Sequence, residues 1–561
     1  MKIYINDTEL EIFSGATVLD ALRAYYAQLG KPTPDVLPRV TDKYGNRVAT
    51  DGTLTQGNKI FIKSKKRIIK KTTSPGGLTQ TVIAVLIVAI FTGCGSSRKA
   101  TIRPETDKTV EILAVNDMHA AIDNFPRLAF MIDSLRTIYP DMLIISGGDN
   151  LTGNPINDQY PEKGMPIIEL MNAVGFHLSA VGNHKFDSKL DGFARITNRA
   201  NFDFLCASAF PPEDYGFRIK PYKIIKTSNS AKIAFLGLLQ INSNGIPDTH
   251  PDNVKGFIFK DPFETAPQYL HLKDSCNVFV LLTHLGFEDD VKLANQLPAG
   301  KVDLIIGGHS HTRVDKEQIH NGILITQAER KLKYATLIKF KVKPDGEVER
   351  SMQLLTVGEK GNERADIRAM VDKFNNNPVL QEKIAEAQDD FTSYEQIGYL
   401  MADALRASAD VQIALVNPGG VRIEHLPKGD ISALDVYSMD PFGNEIVMFH
   451  LTGNEIKAML KSAFKLDELL PIYPSGMKTR YFLNDNGSVK DIQLLTPDGT
   501  PMEMTKTYTV AVNNYMASVY KYEHQDPGTG LFKPTAESMI EYLRGLKQIP
   551  SYKNEKRVEM E

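Results

Sequence analysis

Six apolar runs punctuate the middle of the chain: VEILAVND, DMLIISGGD, HLSAVGNH, KIAFLGLL, NVFVLLTH and VDLIIGGH. Each reads as a strand, and the stretches between them have helical spacing. The alternation predicts an α/β domain of layered sheets over residues 105–358. A polar, helix-rich stretch, DIRAMVDKFNNNPVLQEKIAEAQ, lies within residues 359–391 and reads as a linker. A second α/β region is expected over 392–561. Ahead of all this, residues 1–70 read as a small separate module. MKIYIND and TELEIFS predict a hairpin turning at Asn6-Asp7. TVLDALRAYYAQLG is helical, with a Thr cap and a terminal Gly, and GNKIFIKS closes the module with a strand.

Between module and α/β region, residues 71–100 break the globular pattern. The basic KSKKRIIKK leads into LTQTVIAVLIVAIFTGCGSS. An apolar run of about 14 residues is short for a membrane span but has the length of a secretory signal's core. Basic residues before it predict export of the chain downstream. Two arrangements fit: the module stays in the cytoplasm while the run anchors or is cleaved, or the true start of the protein lies downstream of Met1.

Composition narrows the rest. At 561 residues the chain exceeds one core, and its net charge of −3 gives no basic excess for nucleic acid as main partner. Three cysteines are too few for a disulfide framework. Cys206 and Cys276 sit among apolar residues and read as inert.

Chemistry gathers where the strand-like runs end. The ends carry Asp117-Met118-His119, Gly148-Asp149-Asn150, Gly182-Asn183-His184, Thr283-His284 and His309-Ser310-His311. Five of the twelve histidines fall there, at the sheet edge where α/β folds hold ligands. Carboxylates, an amide and imidazoles suit a pair of divalent cations, with one carboxylate able to bridge. Within a strand, residues i and i+2 point the same way, so Asp117 and His119 face one side together, and so do His309 and His311. One imidazole of HSH could then serve each metal.

The stretches VNDMHA, SGGDNLTG, AVGNHKFD, LLTHLG and GGHSHT, in this order, resemble the calcineurin-like metallophosphoesterases, and within them the 5'-nucleotidase branch. The resemblance implies a four-layer β-sandwich flanked by helices. It implies two divalent ions (Zn, Mn, Mg, Fe or Co). One would be held by Asp117, His119, Asp149 and His311, the other by Asp149, Asn183, His284 and His309. It makes His184 the non-ligand imidazole at the transferred phosphoryl group, and Asp187 its acidic partner. The chain departs from the family pattern at Ala120 and Lys185, and has His311 where some relatives use Gln.

Downstream, LVNPGGVR, DPFGN and VAVNNYMAS resemble the C-terminal substrate domain of 5'-nucleotidases. By that resemblance Phe442 and Tyr515 stack a base, while Asn417, Gly420, Arg422, Asn444 and Asp526 contact nucleoside or phosphate. Asn514 stands for a usual Asp, Gln396 for a frequent Arg, and KYEHQDPGTG only approximates the family's glycine motif. Phe91-Thr92-Gly93-Cys94 resembles a bacterial lipoprotein box, implying a lipid on Cys94, membrane attachment and a periplasmic or cell-surface enzyme. The module's strand order resembles a β-grasp domain, expected to dock or regulate, with an unidentified protein as its partner.

The expected activity is release of phosphate from nucleoside 5'-monophosphates. Two cations lower the pKa of a bridging water, and the hydroxide attacks phosphorus in line with the leaving oxygen. A 2',3'-cyclic nucleotide phosphodiesterase, a hydrolase of nucleotide sugars or other phosphoesters, and a non-catalytic nucleotide-binding protein remain open as alternatives.

Overall fold

The structure is a computed structural model. It describes residues 1–63 and 107–561, apart from residues 14, 30, 32, 35–36, 243–244, 250, 359–360, 377, 441, 467–470 and 485–487. The basic segment, the apolar run and Cys94 lie outside the described residues.

The amino-terminal module is a mixed sheet with one helix. Its elements are β1 (Lys2–Ile5), β2 (Thr8–Glu11), α1 (Val18–Gln28), β3 (Arg39–Asp42), β4 (Arg47–Val48) and β5 (Lys59–Lys63). The hairpin turns at Asn6 and Asp7, whose φ values of 47° and 66° suit the tight two-residue loop. Thr17 and Asp20 form a reciprocal capping box at the start of α1. The strands run 2-1-5-3-4 across the sheet.

The sheet does not stop at β4. Thr312–Arg313, immediately after the HSH stretch, pairs antiparallel with it, Thr312 opposite Val48 and Arg313 opposite Arg47. On its other side the module shares an apolar cluster with the carboxy-terminal region. Ile3, Leu22 and Ile60 belong to the same buried cluster as Leu415, Phe449 and Val512. The module therefore bridges the two larger domains.

The central domain stacks two sheets. One has seven strands, including parallel neighbours Lys108–Val115, Leu143–Ser146, Leu178–Ala180 and Asp203–Leu205. The other has six, including parallel Lys232–Leu239, Val278–His284, Leu304–Ile306 and Ile323–Thr326. The apolar runs are continuous because both faces of each strand are covered. Ile112 and Ala114 point between the sheets with Phe235, Val280 and Leu282. Their neighbours Leu113 and Val115 point out beneath helix Phe125–Arg136, and Leu281 packs under helix Phe287–Gln296. The layers are helix, sheet, sheet, helix.

The expected linker splits. Helix Ala365–Asn375 buries Ile367, Val371 and Phe374 in the central domain's outer cluster. Strand Lys383–Ala387 instead joins a sheet of the carboxy-terminal domain, beside Gly429–Ser432 and Gln548–Ile549. That domain is built on a five-stranded sheet ordered Tyr473–Ser475, Ile413–Val416, Thr507–Asn513, Glu445–Thr452 and Thr529–Pro534. Cys206 and Cys276 are free, and burial raises both thiols above their ordinary pKa. Among the described residues, no helix is long and apolar enough to cross a membrane.

Candidate metal centre

Apart from His284, the last residue of strand Val278–His284, the chemistry-bearing residues lie just past their strands. The strand Lys108–Val115 ends before Asp117, Leu143–Ser146 before Asp149, and Leu304–Ile306 before His309. Face-sharing by strand alternation therefore does not apply to Asp117/His119 or His309/His311. What aims them is left-handed backbone: φ is 47° at Asp117, 43° at His119, 43° at Asp149, 78° at His309 and 51° at His311. Non-glycine residues seldom sit there, and such strain concentrates at functional sites.

The outcome is two donor groups. Asp117, His119 and His311 form one, and Asp149, His284 and His309 the other, with donor atoms in each within 4.8 Å of one another. The groups adjoin: Oδ1 of Asp117 lies 3.9 Å from Nε2 of His284 and 3.8 Å from Nε2 of His311. Asp149 accepts from Nε2 of His284 at 2.8 Å and from the backbone N–H of His184 at 3.1 Å. Asn183 lies beside the second group, its Oδ1 3.0 Å from Nδ1 of His309.

Tautomers tell what the groups lack. His119 donates Nδ1–H to Thr152 O at 3.0 Å, and His311 faces Oδ1 of Asp51 through Nδ1 at 3.0 Å. That leaves both Nε2 atoms as lone pairs, yet they face each other at 2.9 Å. Two acceptors in contact call for a cation between them. His309 Nε2 is likewise buried without a hydrogen-bond partner. Burial and the neighbouring imidazoles hold His119 well below its ordinary pKa, in the neutral form a metal ligand needs. Mixed carboxylate and imidazole donors fit divalent Zn, Mn, Fe or Co.

His184 stands apart from both groups. Its Nδ1 is 2.7 Å from Oδ2 of Asp187. Burial alone would lower its pKa, but Asp187 and then Asp149 reverse this and lift it to about 10. Lys185 next to it is fully buried, its Nζ without a hydrogen-bond partner and 4.6 Å from the Phe204 ring centre. Burial lowers that amine to about 7. Two glycines let the groups close. A Cβ on Gly182 would lie 2.0 Å from Oδ1 of Asp149, and one on Gly148 would lie 2.5 Å from Nδ1 of His284.

The groups open into a cavity of about 490 Å³ bounded by all three parts of the chain. His119, Asp149, Asn183, His184, His309 and His311 form its floor, and Phe442, Asn444 and Glu445 a wall. Burial raises the Glu445 carboxyl to about 7. Asp20, Arg23 and Asp51 of the module form part of another wall.

Several expected substrate residues lie elsewhere. Tyr515 is covered by Arg23, whose guanidinium sits 5.0 Å over its ring, so its face is taken by the module. Asn417 is buried, accepting from Nδ2 of Asn513 at 2.9 Å, and packs close to Gly420. Arg422 stacks 5.4 Å from the Phe442 ring centre, behind the cavity wall. Asp526 holds the backbone N–H of His450 at 2.6 Å, on an exposed edge. Gln396 accepts from the Thr392 N–H at 2.8 Å near the start of helix Tyr394–Ala409. Asp20, Arg23, Asp51, Asp248 and Glu445 were not legible as site residues. Asp248 accepts Nδ2 of Asn183 on its carbonyl at 2.8 Å, a contact with no local sequence signal.

Residues 110–313 match the calcineurin-like phosphoesterase family, and residues 376–521 the 5'-nucleotidase C-terminal domain. The chain is 25% identical over 523 residues to "Endonuclease YhcR" of Bacillus subtilis, covering 82% of this chain and 42% of that protein. It spans less than half the length of the Bacillus relatives it matches. It is 28% identical to a "5'-nucleotidase" of Vibrio cholerae, covering 68% of this chain and 80% of that one. Among solved structures, a 5'-nucleotidase precursor from Thermus thermophilus superposes with a TM-score of 0.51 at 26% identity, over 81% of this chain and 99% of that one. The order of strand-end donors, the paired sheets and both domain matches lead to one assignment: residues 110–313 form a calcineurin-like phosphoesterase domain and residues 376–521 belong to a 5'-nucleotidase C-terminal domain.

Proposed function

We propose that this chain is a metal-dependent phosphohydrolase that releases phosphate from nucleoside 5'-monophosphates. One observation carries the reading. Two adjoining donor groups, a cationic imidazole and an exposed aromatic, Phe442, line the same cavity. When bound, a pair of divalent ions supplies Lewis acidity for phosphoryl oxygens and a low-pKa water.

The chain's own residues do the rest. We assign Asp117, His119 and His311 to one ion and Asp149, Asn183, His284 and His309 to the other. Asp149 would serve both ions, and Asp117, with Oδ1 within 4 Å of His284 in one group and His311 in the other, ties the two groups together. Asp187 holds Nδ1 of His184, leaving Nε2 to donate to the phosphoryl or leaving oxygen as charge grows there. Phe442, backed by Arg422, offers a face for a flat base, and Asn444 a polar group beside it. Phosphate release from AMP in Mn²⁺ or Zn²⁺, abolished by chelation and restored by metal, tests the reading. A metal-loaded protein that binds AMP without turnover would instead make it a binding protein.

A second reading is a phosphodiesterase acting on cyclic or oligonucleotide substrates. The similarity to a protein named as an endonuclease favours it. Rates on 2',3'-cyclic AMP and nucleotide sugars beside AMP separate the two.

Export and lipid attachment at Cys94 rest on the sequence of residues 71–94 alone. Cleavage there removes the module, and a span there puts it across the membrane from the catalytic domain. The β4 pairing with Thr312–Arg313 needs both on one side. The mass of the mature amino terminus distinguishes a lipidated Cys94 from a chain that keeps its module.

A further inference from the structure

All four imidazoles of the two donor groups are held through Nδ1 by an oxygen. For three of them the oxygen comes from the catalytic domain itself. His119 uses Thr152 O at 3.0 Å, His284 uses Gly147 O at 2.8 Å, and His309 uses Asn183 Oδ1 at 3.0 Å. The fourth is different. His311 takes Oδ1 of Asp51, at 3.0 Å, from the amino-terminal module.

We infer that Asp51 is a positioning residue: it fixes the tautomer and aim of His311, and so sets how tightly the first donor group holds its cation. The inference rests on the two-metal reading above. A carboxylate behind a metal-bound imidazole keeps the proton on the far nitrogen, orients the ring and makes the near nitrogen a stronger ligand.

The surroundings of Asp51 are built for this contact. The carboxylate's other oxygen pairs with Arg330 of the catalytic domain, which restrains its rotation. Ala49 N–H donates to the carbonyl of His311 itself at 3.3 Å. Gly52 closes against the HSH stretch, where a Cβ would lie 2.3 Å from Ser310 O. β4 pairs antiparallel with Thr312–Arg313, the residues that follow His311. Four successive contacts thus fall on the three residues Ser310, His311 and Thr312. Lys43 and Glu288, at 3.2 Å, join the same two domains away from the imidazole.

The test uses the full chain and metal alone. Mn²⁺ is titrated calorimetrically into metal-free wild type, Asp51→Ala, Asp51→Asn, His311→Ala and Lys43→Ala, with bound metal counted by mass spectrometry. The expected result is two ions in wild type, and one of them bound about 10–100-fold more weakly in Asp51→Ala. Asp51→Asn, which keeps an accepting oxygen, loses less. Adding Asp51→Ala to His311→Ala costs little more than His311→Ala alone, because the two act through one ligand. Unchanged melting of the metal-free variants excludes a general loss of folding. Wild-type affinity at both sites in Asp51→Ala would overturn the inference, as would an equal loss in Lys43→Ala. Absence of any stoichiometric metal in wild type would instead defeat the two-metal reading beneath it.

Discussion

His184 and Asp187 face each other within a single short turn, Asn183–Ser188, with Nδ1 2.7 Å from Oδ2. The turn puts an imidazole, held cationic by a carboxylate, one residue from the amide beside the second donor group. If His184 donates to the leaving oxygen, His184→Ala lowers the rate of phosphate release by about 10²–10⁴-fold. Metal content stays at the wild-type value, since His184 belongs to neither donor group. Asp187→Asn keeps the ring but weakens its charge, and loses less. Initial rates beside metal analysis check both. Loss of metal in His184→Ala would reassign it as a ligand.

Gly182 offers a probe of Asp149 that leaves every ligand residue unsubstituted. Its φ is −98°, so alanine is allowed by the backbone. The new Cβ, however, would lie 2.0 Å from Oδ1 of Asp149 and 2.6 Å from its backbone nitrogen. Gly182→Ala is expected to push the carboxylate off its position and weaken metal binding at least tenfold while the fold melts cooperatively. Calorimetric metal titration and thermal melting together decide it. Wild-type affinity would mean that Asp149 is not a ligand.

Phe442 is 48% exposed at the cavity wall, and Tyr515 lies under Arg23. Of these two rings, Phe442 is therefore the one open to a base while the module stays docked. Stacking on an aromatic is worth about 1–3 kcal/mol. Phe442→Ala should raise KM for AMP roughly 5–150-fold. KM for glycerol phosphate, which has no base, should not move. Tyr515→Ala should have little effect on AMP unless Arg23→Ala first uncovers the ring. Steady-state kinetics of the four variants test the arrangement.

Asp290 supplies a pH dependence. It is fully buried, accepts the hydroxyl of Thr283 at 2.7 Å, and burial raises its carboxyl to about 8. The unfolded chain releases that proton near the ordinary carboxylate range, so between there and about 8 the folded state binds more protons. Folding stability attributable to Asp290 is thus complete at low pH and falls by about 1.4 kcal/mol per unit as pH rises through that window. Asp290→Asn should raise the melting temperature at pH 8 and change it little at pH 4. An equal shift at both values would assign the effect to packing.

The paired sheets and the metal groups were legible because their signals are local. An apolar run announces a strand wherever it lies, and Asp117, Asp149, His284 and HSH each follow one directly. How those residues aim was not legible. Strand alternation would have turned His309 and His311 the same way, and it is the left-handed backbone past the strand that sends them to different groups. Contacts between distant segments left no trace either. Asp51 meets His311 across 260 positions, and nothing near Asp51 resembles a site. The substrate residues fared worst. Tyr515 sits in its expected stretch, but a helix from the other end of the chain covers it.

Everything rests on two cations between the two donor groups. The most direct measurement is the number of divalent ions retained per chain by metal-loaded protein after exhaustive dialysis, for wild type and Asp149→Ala. The account predicts two for wild type and at most one for Asp149→Ala, with phosphate release lost in step. No stoichiometric metal in wild type, or two tight ions undiminished in Asp149→Ala, would contradict it.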